Sequence, residues 1–158
     1  MKLLIEKEKH LMHLMDGKQA VFSCSVALGR EPKGAKRREG DGRTPEGIYY
    51  ICLIKEQGKY GRSLGLSYPG KADAELAFSE GAIDLQAKEA IFSAWRENLE
   101  AFRSKVRPPW GTALGGEIYI HEGGTASDWT QGCIALDEAD MDRLFPHREN
   151  IAVVEILP

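Results

Sequence analysis

One block of this chain, residues 72–104, follows a helical period, whereas the apolar residues elsewhere occur in short runs between turn residues. In this block, side chains recur at three-and-four spacing, which is typical of the buried face of an amphipathic helix. They are Ile91, Ala94, Trp95, Asn98, Leu99 and Phe102. Asp84 is a good N-cap before the repeat. The pattern therefore predicts a long helix over Asp84–Ser104, preceded by a shorter helix over Ala72–Ser79.

The other apolar runs predict β-strands. Residues 2–26 contain two or three such runs, and Asp16-Gly17 between two of them is a strong hairpin signal. The nearly continuous apolar run Gly47–Lys55 predicts a central strand that is buried on both faces. Ser63–Tyr68 and Ile151–Leu157 predict two further strands. Because strands and helices occupy separate blocks, we expect an α+β fold that is mainly β.

The composition is that of an ordinary soluble globular protein, with 42% hydrophobic and 28% charged residues. A length of 158 residues predicts a single domain, residues 1–158, that buries a core without disulfide bonds. The net charge of −3 gives no general attraction to nucleic acid or to a membrane surface. No apolar run reaches the roughly 18 residues of a membrane span. We expect a monomer.

The first residues do not have the pattern of an export signal. The apolar residues Leu3–Ile5 are followed at once by the charged run Glu6–His10. This leaves no apolar segment of about 7–15 residues, which a secretory signal peptide requires. We therefore expect no signal peptide in this chain.

The cysteines do not form a disulfide framework, because there are three of them. Cys24 and Cys52 lie inside apolar, strand-like runs and are predicted to be buried thiols. Cys133 differs from both, because it follows a glycine and stands at the beginning of an apolar run.

A histidine and a cysteine stand at the ends of two strand-like runs. His121 ends the run Ile118–Ile120, and twelve residues later Cys133 begins the run that continues through Ile134–Leu136. If the two strands are neighbours, these side chains meet, and a base beside an exposed thiol is what cysteine catalysis needs. Gly132 lacks a Cβ beside the sulfur, so a substrate carbonyl can approach backbone N–H groups there.

Two simpler interpretations of this pair are available. A single cysteine in an apolar run is usually an inert core thiol, and a single histidine is usually a hydrogen-bonded or surface residue. A zinc site is less favoured, because structural zinc needs four protein ligands and catalytic zinc three. No other cysteine or histidine lies near the pair in sequence. We expect neither a metal nor a cofactor.

The stretch around Cys133 resembles the active-site signature of the YkuD-type L,D-transpeptidases. That signature is a histidine, a gap of a dozen or more residues, and then Ser/Thr-His-Gly-Cys. His121, Thr130, Gly132 and Cys133 fall on its positions. A second segment, Gly40–Tyr49, is similar to the family's Gly-Asp-x-x-Thr-Pro-Glu-Gly block. Two blocks in the right order extend the resemblance over most of the chain.

Three positions depart from the family pattern. Gln131 stands where the second histidine is usual, Ala135 where many members have arginine, and Glu122 where glycine or serine is common. This variant resembles the YafK-like branch. The resemblance implies a β-sandwich or flattened barrel with a helical insert around residues 72–104.

The resemblance also implies a reaction on peptidoglycan stem peptides, and inhibition by carbapenems. Cys133 would attack the carbonyl of the third stem residue, with His121 as general base and then general acid. The backbone N–H groups of Gly132 and Cys133, with that of Gln131, would bind the oxyanion. The acceptor that orients His121 is open between a backbone carbonyl and Glu122.

Substrate contacts are expected from Thr130 and Gln131, and from the charged loop Leu28–Arg43. Within that loop Arg43 is the best candidate for a stem carboxylate, because it lies in the second family-like block. The simpler interpretation of the same loop is a solvated surface segment.

The acceptor that resolves the thioester determines the activity. A side-chain amine of a neighbouring stem gives a 3→3 cross-link, whereas water gives an L,D-carboxypeptidase or amidase. A non-catalytic cell-wall-binding module that keeps the fold is a third alternative. The family acts in the cell envelope, although the missing export signal leaves a cytoplasmic location open.

Overall fold

The computed structural model describes residues 1–100 and 105–158, which form two mixed β-sheets and several helices. The first sheet has the order β3 (Gln19–Ser25), β2 (Leu11–Asp16), β1 (Lys2–Glu6), β9 (Val153–Leu157) and β4 (Gly47–Tyr49). The second has the order β5 (Ile51–Gly58), β6 (Gly61–Leu66), β7 (Tyr119–Glu122) and β8 (Ile134–Leu136). The helices are α1 (Lys71–Ser79), α2 (Leu85–Glu100), α3 (Glu138–Leu144) and a 3₁₀ helix (Phe145–Asn150).

The N-terminal strands form the antiparallel hairpins that the sequence predicts. β1 pairs with β2 and β2 with β3, and Gly17 in the second turn has φ of 58°. The closing strand β9 then pairs in parallel with β1, with Ile5 opposite Ile156. Leu3 and Ile5 alternate with more exposed neighbours and are fully buried, so one face of this sheet meets the core.

The prediction of one central strand over Gly47–Lys55 is wrong. The run divides at Tyr50 into β4, at the edge of the first sheet, and β5, at the edge of the second. The N–H of Tyr50 donates to the side-chain oxygen of Ser67 instead of to a neighbouring strand. The run is apolar because the chain passes from one sheet to the other across their common core, and not because it lies in the middle of a sheet.

One hydrophobic cluster takes side chains from both sheets and from the helices. Its fully buried members include Leu14, Leu64, Ile120, Ile134 and Ile91. Burial of such side chains from two facing sheets is what holds a β-sandwich together. The fold is therefore α+β and mainly β, as predicted.

The helical insert lies where the period of the sequence places it. Asp84 caps α2, with its carboxylate accepting the N–H of Ala87 at 2.8 Å. Trp95 packs edge-on against Tyr50 at 4.9 Å between ring centroids, and its indole N–H donates to the carbonyl of Pro69. Residues 101–104 of the predicted helix, with Phe102, lie outside the described residues.

No helix in the described part of the chain combines the length and the apolar character that crossing a membrane requires.

Candidate active site

The register of two parallel strands brings His121 and Cys133 to one face of the second sheet. Ile120 lies opposite Ile134, and both are fully buried in the core. Side chains alternate along a strand, so His121 on β7 and Cys133, just before β8, face the other way. Neighbouring strands lie about 4.8 Å apart and residues rise about 3.3 Å each. Side chains offset by two residues can therefore converge.

Both side chains line one cavity of about 480 Å³. Thr130 and Gln131 line the same cavity, so it contains four of the residues that the sequence proposes for the site. Arg43 is not among the lining residues. Its guanidinium lies beside Gly34, and its backbone N–H donates to Asp41. Two other cations of the same loop line the cavity, the exposed Arg30 and the buried Lys36.

His121 is held as a neutral imidazole. Its Nδ1 hydrogen-bonds the main-chain carbonyl of Glu122. A carbonyl can only accept, so Nδ1 carries the proton and Nε2 is the basic nitrogen. Burial lowers the pKa of His121 below its usual value of 6.5, and the bond to Glu122 only partly opposes this effect. The ring is therefore uncharged and able to accept a proton at neutral pH.

The acceptor that orients His121 is therefore a backbone carbonyl, that of Glu122, and not the Glu122 carboxylate. The carboxylate of the same residue accepts from Nε of Arg62 at 2.6 Å and from the Arg62 N–H at 3.2 Å. Arg62 also pairs with Asp142 of α3 at 2.7 Å. These ion pairs anchor the end of β7 to β6 and to α3.

Two aromatic rings enclose His121, and the sequence does not predict either of them at the site. Tyr60, in the turn between β5 and β6, stacks on the imidazole at 4.8 Å between centroids and 21° between planes. Trp129 meets the imidazole edge-on at 5.6 Å, and its indole N–H donates to the carbonyl of Gly124. Both rings reach His121 through tertiary contacts, so no local pattern in the sequence indicates them.

The thiol of Cys133 is hydrogen-bonded to the main chain at the beginning of β7, the strand that contains His121. Its sulfur accepts the N–H of Tyr119 at 3.4 Å and donates to the carbonyl of Glu117 at 3.5 Å. Burial raises the pKa of Cys133, against the effect of the Tyr119 N–H and the charge of Lys36. The group is therefore a thiol at neutral pH. Within residues 1–100 and 105–158, no hydrogen bond joins this sulfur to the imidazole.

The other two cysteines are buried, as predicted, and all three are free. Burial raises the pKa of Cys24 to about 12 and that of Cys52 to about 11. Neither lines the cavity.

Thr130 fixes the turn before Cys133. Its hydroxyl donates to the carbonyl of Cys133 at 2.7 Å and accepts the N–H of Gly132 at 3.1 Å. The Gly132 N–H, which the sequence predicts as an oxyanion donor, therefore already has a partner in this conformation. The N–H of Cys133 has no protein acceptor in the described part of the chain.

The main chain around residue 132 requires a glycine there. From the sequence, the expected reason is access of a substrate carbonyl to the backbone N–H groups. The φ of Gly132 is 135°, and a Cβ there would lie 2.6 Å from the carbonyl oxygen of Arg43. Beside it, a Cβ on Gly29 would lie 2.1 Å from the carbonyl oxygen of Gly42. The two family-like blocks thus touch through their backbones.

Two of the positions that depart from the family pattern have different surroundings. Ala135 is fully buried in β8, where its main chain exchanges two hydrogen bonds with Ala27. Gln131 is exposed at the cavity. Only Gln131 is therefore placed to touch a ligand. No group of three or more potential metal ligands occurs among the described residues.

A model of the YkuD family, the L,D-transpeptidase catalytic domain, matches residues 2–156. A comparison with curated protein sequences finds no match.

Solved structures are similar over nearly the whole chain. The helical cell shape determining protein Pgp2 from Campylobacter jejuni is 20% identical over 98% of this chain, with a TM-score of 0.63. Bd1075 from Bdellovibrio bacteriovorus is 19% identical over 99%, with a TM-score of 0.56. An L,D-transpeptidase from Xylanimonas cellulosilytica is 12% identical over 98%, with a TM-score of 0.55. The alignments cover 46%, 47% and 58% of those chains, so this chain spans about half their length.

Proposed function

Because this chain belongs to the YkuD family of L,D-transpeptidase catalytic domains, we propose that it transfers acyl groups of peptidoglycan stem peptides through Cys133. The donor is a tetrapeptide stem, cleaved between its third residue, a diamino acid, and the terminal D-alanine. We place this activity in the cell envelope. The observation that carries the proposal is the shared cavity, which is lined by Cys133 and by a neutral His121 whose Nε2 has no hydrogen-bond partner among the described residues.

In the first half-reaction the thiol sulfur attacks the carbonyl carbon of the third stem residue. Nε2 of His121 takes the thiol proton and returns it to the amine of D-alanine as the C–N bond breaks. A thioester to Cys133 remains. The thiol first turns away from the carbonyl of Glu117, because this bond holds its proton in the present conformation.

In the second half-reaction, Nε2 removes a proton from the acceptor, which attacks the thioester carbonyl and releases Cys133 as a thiol. The N–H of Cys133 supports this chemistry as an oxyanion donor, since Thr130 already holds that of Gly132. One such donor typically contributes about 3 kcal/mol to the stabilisation of the transition state.

Incubation with purified muropeptides, followed by mass spectrometry, tests the proposal. We expect loss of D-alanine from tetrapeptide stems, together with a product joined to an amine acceptor. Release of D-alanine without a new amide would assign water as the acceptor and an L,D-carboxypeptidase activity. Cys133→Ala should abolish all products, whereas Cys52→Ala should retain them. Unchanged muropeptides with the wild-type protein would contradict the proposal and favour a binding module.

A further inference from the structure

Lys36 is a buried lysine in the wall of the active-site cavity, and its side chain is only 4% exposed. Burying an ammonium group is costly unless hydrogen-bond partners replace water. It donates to the carbonyl of Arg38 and to the carboxylate of Asp41, both at 3.0 Å. An ammonium group has three donors, and the described residues supply no third acceptor. One donor is therefore left for a ligand.

Asp41 holds this ammonium group in place. Its carboxylate accepts the backbone N–H groups of Arg37 at 2.7 Å and of Arg38 and Arg43 at 3.1 Å. Burial disfavours the charged carboxylate, but these donors and Lys36 hold the pKa of Asp41 below its usual range. The loop is thus folded around an ionised Asp41, which fixes where Lys36 points.

The walls of the cavity favour an anionic ligand. Among the described residues, four cations line it, against two carboxylates, although the whole chain has a net charge of −3. The cations are Arg30, Lys36, Lys55 and Lys59, and the carboxylates are Glu39 and Glu117. Of the four cations only Lys36 is buried. A buried, oriented cation selects a ligand group more sharply than solvated ones do, because water screens it less.

We propose that Lys36 determines specificity by binding the terminal carboxylate of the stem peptide, on the amino acid that leaves. This inference rests on the proposed acyl transfer at Cys133. The terminal carboxylate belongs to the residue directly after the attacked carbonyl, and consecutive Cα atoms are only about 3.8 Å apart. It is therefore the carboxylate whose distance from Cys133 varies least. The charge of Lys36 also reaches Cys133, since it acts to lower the pKa of that thiol.

The proposal restricts the enzyme to the last residue of a stem. When the attacked bond is internal, the residue after the attacked carbonyl ends in a neutral amide, and Lys36 meets this amide instead of a carboxylate. Such a substrate offers only a neutral carbonyl oxygen, so the buried ammonium group would lose its bond to a charged acceptor, which is about twice as strong as a neutral one.

The test compares a free-acid tetrapeptide stem with the same peptide amidated at its C-terminus. With the wild-type protein, we expect kcat/KM to be about 10- to 100-fold lower for the amide, the range of a charge-assisted hydrogen bond. Lys36→Met should lower the free-acid value to that of the amide and leave the amide nearly unchanged. Lys33→Met, on the same loop but exposed and outside the cavity, should keep the full discrimination.

Equal kcat/KM values for the two peptides with the wild-type protein would overturn the proposal. So would an equal loss for both peptides in Lys36→Met, since that is the result of a purely structural lysine. In Lys36→Met, the pH dependence of Cys133 alkylation by iodoacetamide is measured as well. If it shifts while the variant still discriminates between the free-acid and amidated peptides, the proposal is overturned and Lys36 acts in thiol activation.

Binding separates this proposal from the proposed function. If the wild-type protein turns over neither peptide, calorimetry with Cys133→Ala still measures both affinities. We expect the free acid to bind at least 10-fold more tightly, and Lys36→Met to remove that difference. Equal affinities would refute the role of Lys36 whatever the chemistry at Cys133.

Discussion

The Nδ1–H of His121 donates a hydrogen bond to the main-chain carbonyl of Glu122, and not to the carboxylate of that residue, which is bound to Arg62. A carbonyl oxygen cannot be protonated near neutral pH, so the tautomer of His121 does not depend on the ionisation of its partner. The basic Nε2 is therefore presented to the cavity at every pH at which the ring is neutral.

The rate of acylation should rise with pH through a single ionisation, that of His121. Protonated His121 cannot accept the thiol proton, and burial places its pKa below 6.5. Activity should therefore fall only at acidic pH, whereas the ionisation of Cys133 lies above its usual value of 9.0. The measurement is the pH–rate profile between pH 5 and about 8.

His121→Ala should remove that ionisation, whereas Gln131→Ala should keep most thiol reactivity and lose stem-peptide turnover. Gln131 cannot titrate near neutral pH, so it can only donate or accept hydrogen bonds. If Gln131→Ala lost acylation as completely as His121→Ala, Gln131 would have to take part in thiol activation. The mechanism with His121 as its single base would then be wrong.

A carbapenem should acylate Cys133 and add its mass to the protein once. Cys24 and Cys52 should not react, because both are buried and neither lines the cavity that contains His121. Intact-protein mass spectrometry of the wild type and of Cys133→Ala is the measurement. Modification of Cys24 or Cys52 in place of Cys133 would refute the assignment of the nucleophile.

Gly132→Ala should destabilise the protein by more than about 2 kcal/mol, since it combines a positive φ with a main-chain clash. The new Cβ would lie 2.6 Å from the Arg43 oxygen. Gly111→Ala is the matched control, because no atom of residues 1–100 or 105–158 outside its chain neighbours lies within 4 Å of its Cβ position. Urea denaturation measures both, and equal stabilities would argue against the close contact.

Thr130→Val should cost about 1–3 kcal/mol, because it leaves the Gly132 N–H and the Cys133 carbonyl without their partner. Thr130→Ser keeps the hydroxyl and should retain most of the stability and of the Cys133 reactivity. Thermal denaturation and alkylation rates measured on the same two variants would separate a structural from a catalytic defect.

Asp73→Asn should change how stability depends on pH. Burial raises the pKa of Asp73 to about 6, although the Gly70 N–H and the Tyr49 hydroxyl both favour its carboxylate. Between pH 4 and 6 the folded protein then holds a proton that the unfolded chain releases. Stability should fall as the pH rises through this window, by on the order of 2 kcal/mol.

In Asp73→Asn this fall should be absent, as shown by urea denaturation at pH 4.5 and pH 7. Glu75→Gln, on the exposed side of the same helix, should behave like the wild type. A change in stability between pH 4.5 and pH 7 that is the same in the wild type and in Asp73→Asn would place the pKa of Asp73 in the ordinary range.

The parts of the fold that the sequence predicts well depend on near neighbours in the chain. The cap at Asp84 and the turn at Asp16-Gly17 each involve residues at most three positions apart. The break at Tyr50 could not be predicted in this way, because the acceptor of the Tyr50 N–H is the side chain of Ser67, seventeen residues away. An apolar run looks the same whether it stays in one sheet or crosses between two.

The same distinction applies to the site. His121 and Cys133 could be placed together because strand pairing and a family-like pattern both relate them. Tyr60 and Lys36 reach the cavity from turns and loops, where nothing local specifies direction. The sequence favours Arg43 among the cations of its loop, and only the tertiary structure shows that Lys36 lines the cavity while Arg43 does not.

The contact of Gly132 with the Arg43 carbonyl, and of Gly29 with that of Gly42, has a consequence for protein engineering. The segment that carries Cys133 cannot be exchanged with that of a relative as an independent cassette. Its main chain at Gly132 fits against that of Arg43 and that of Gly29, and Gly29 in turn fits against Gly42, so backbone meets backbone at each of these contacts. A chimera should fold only when both segments come from the same parent, so specificity must be redesigned through the side chains that face the cavity.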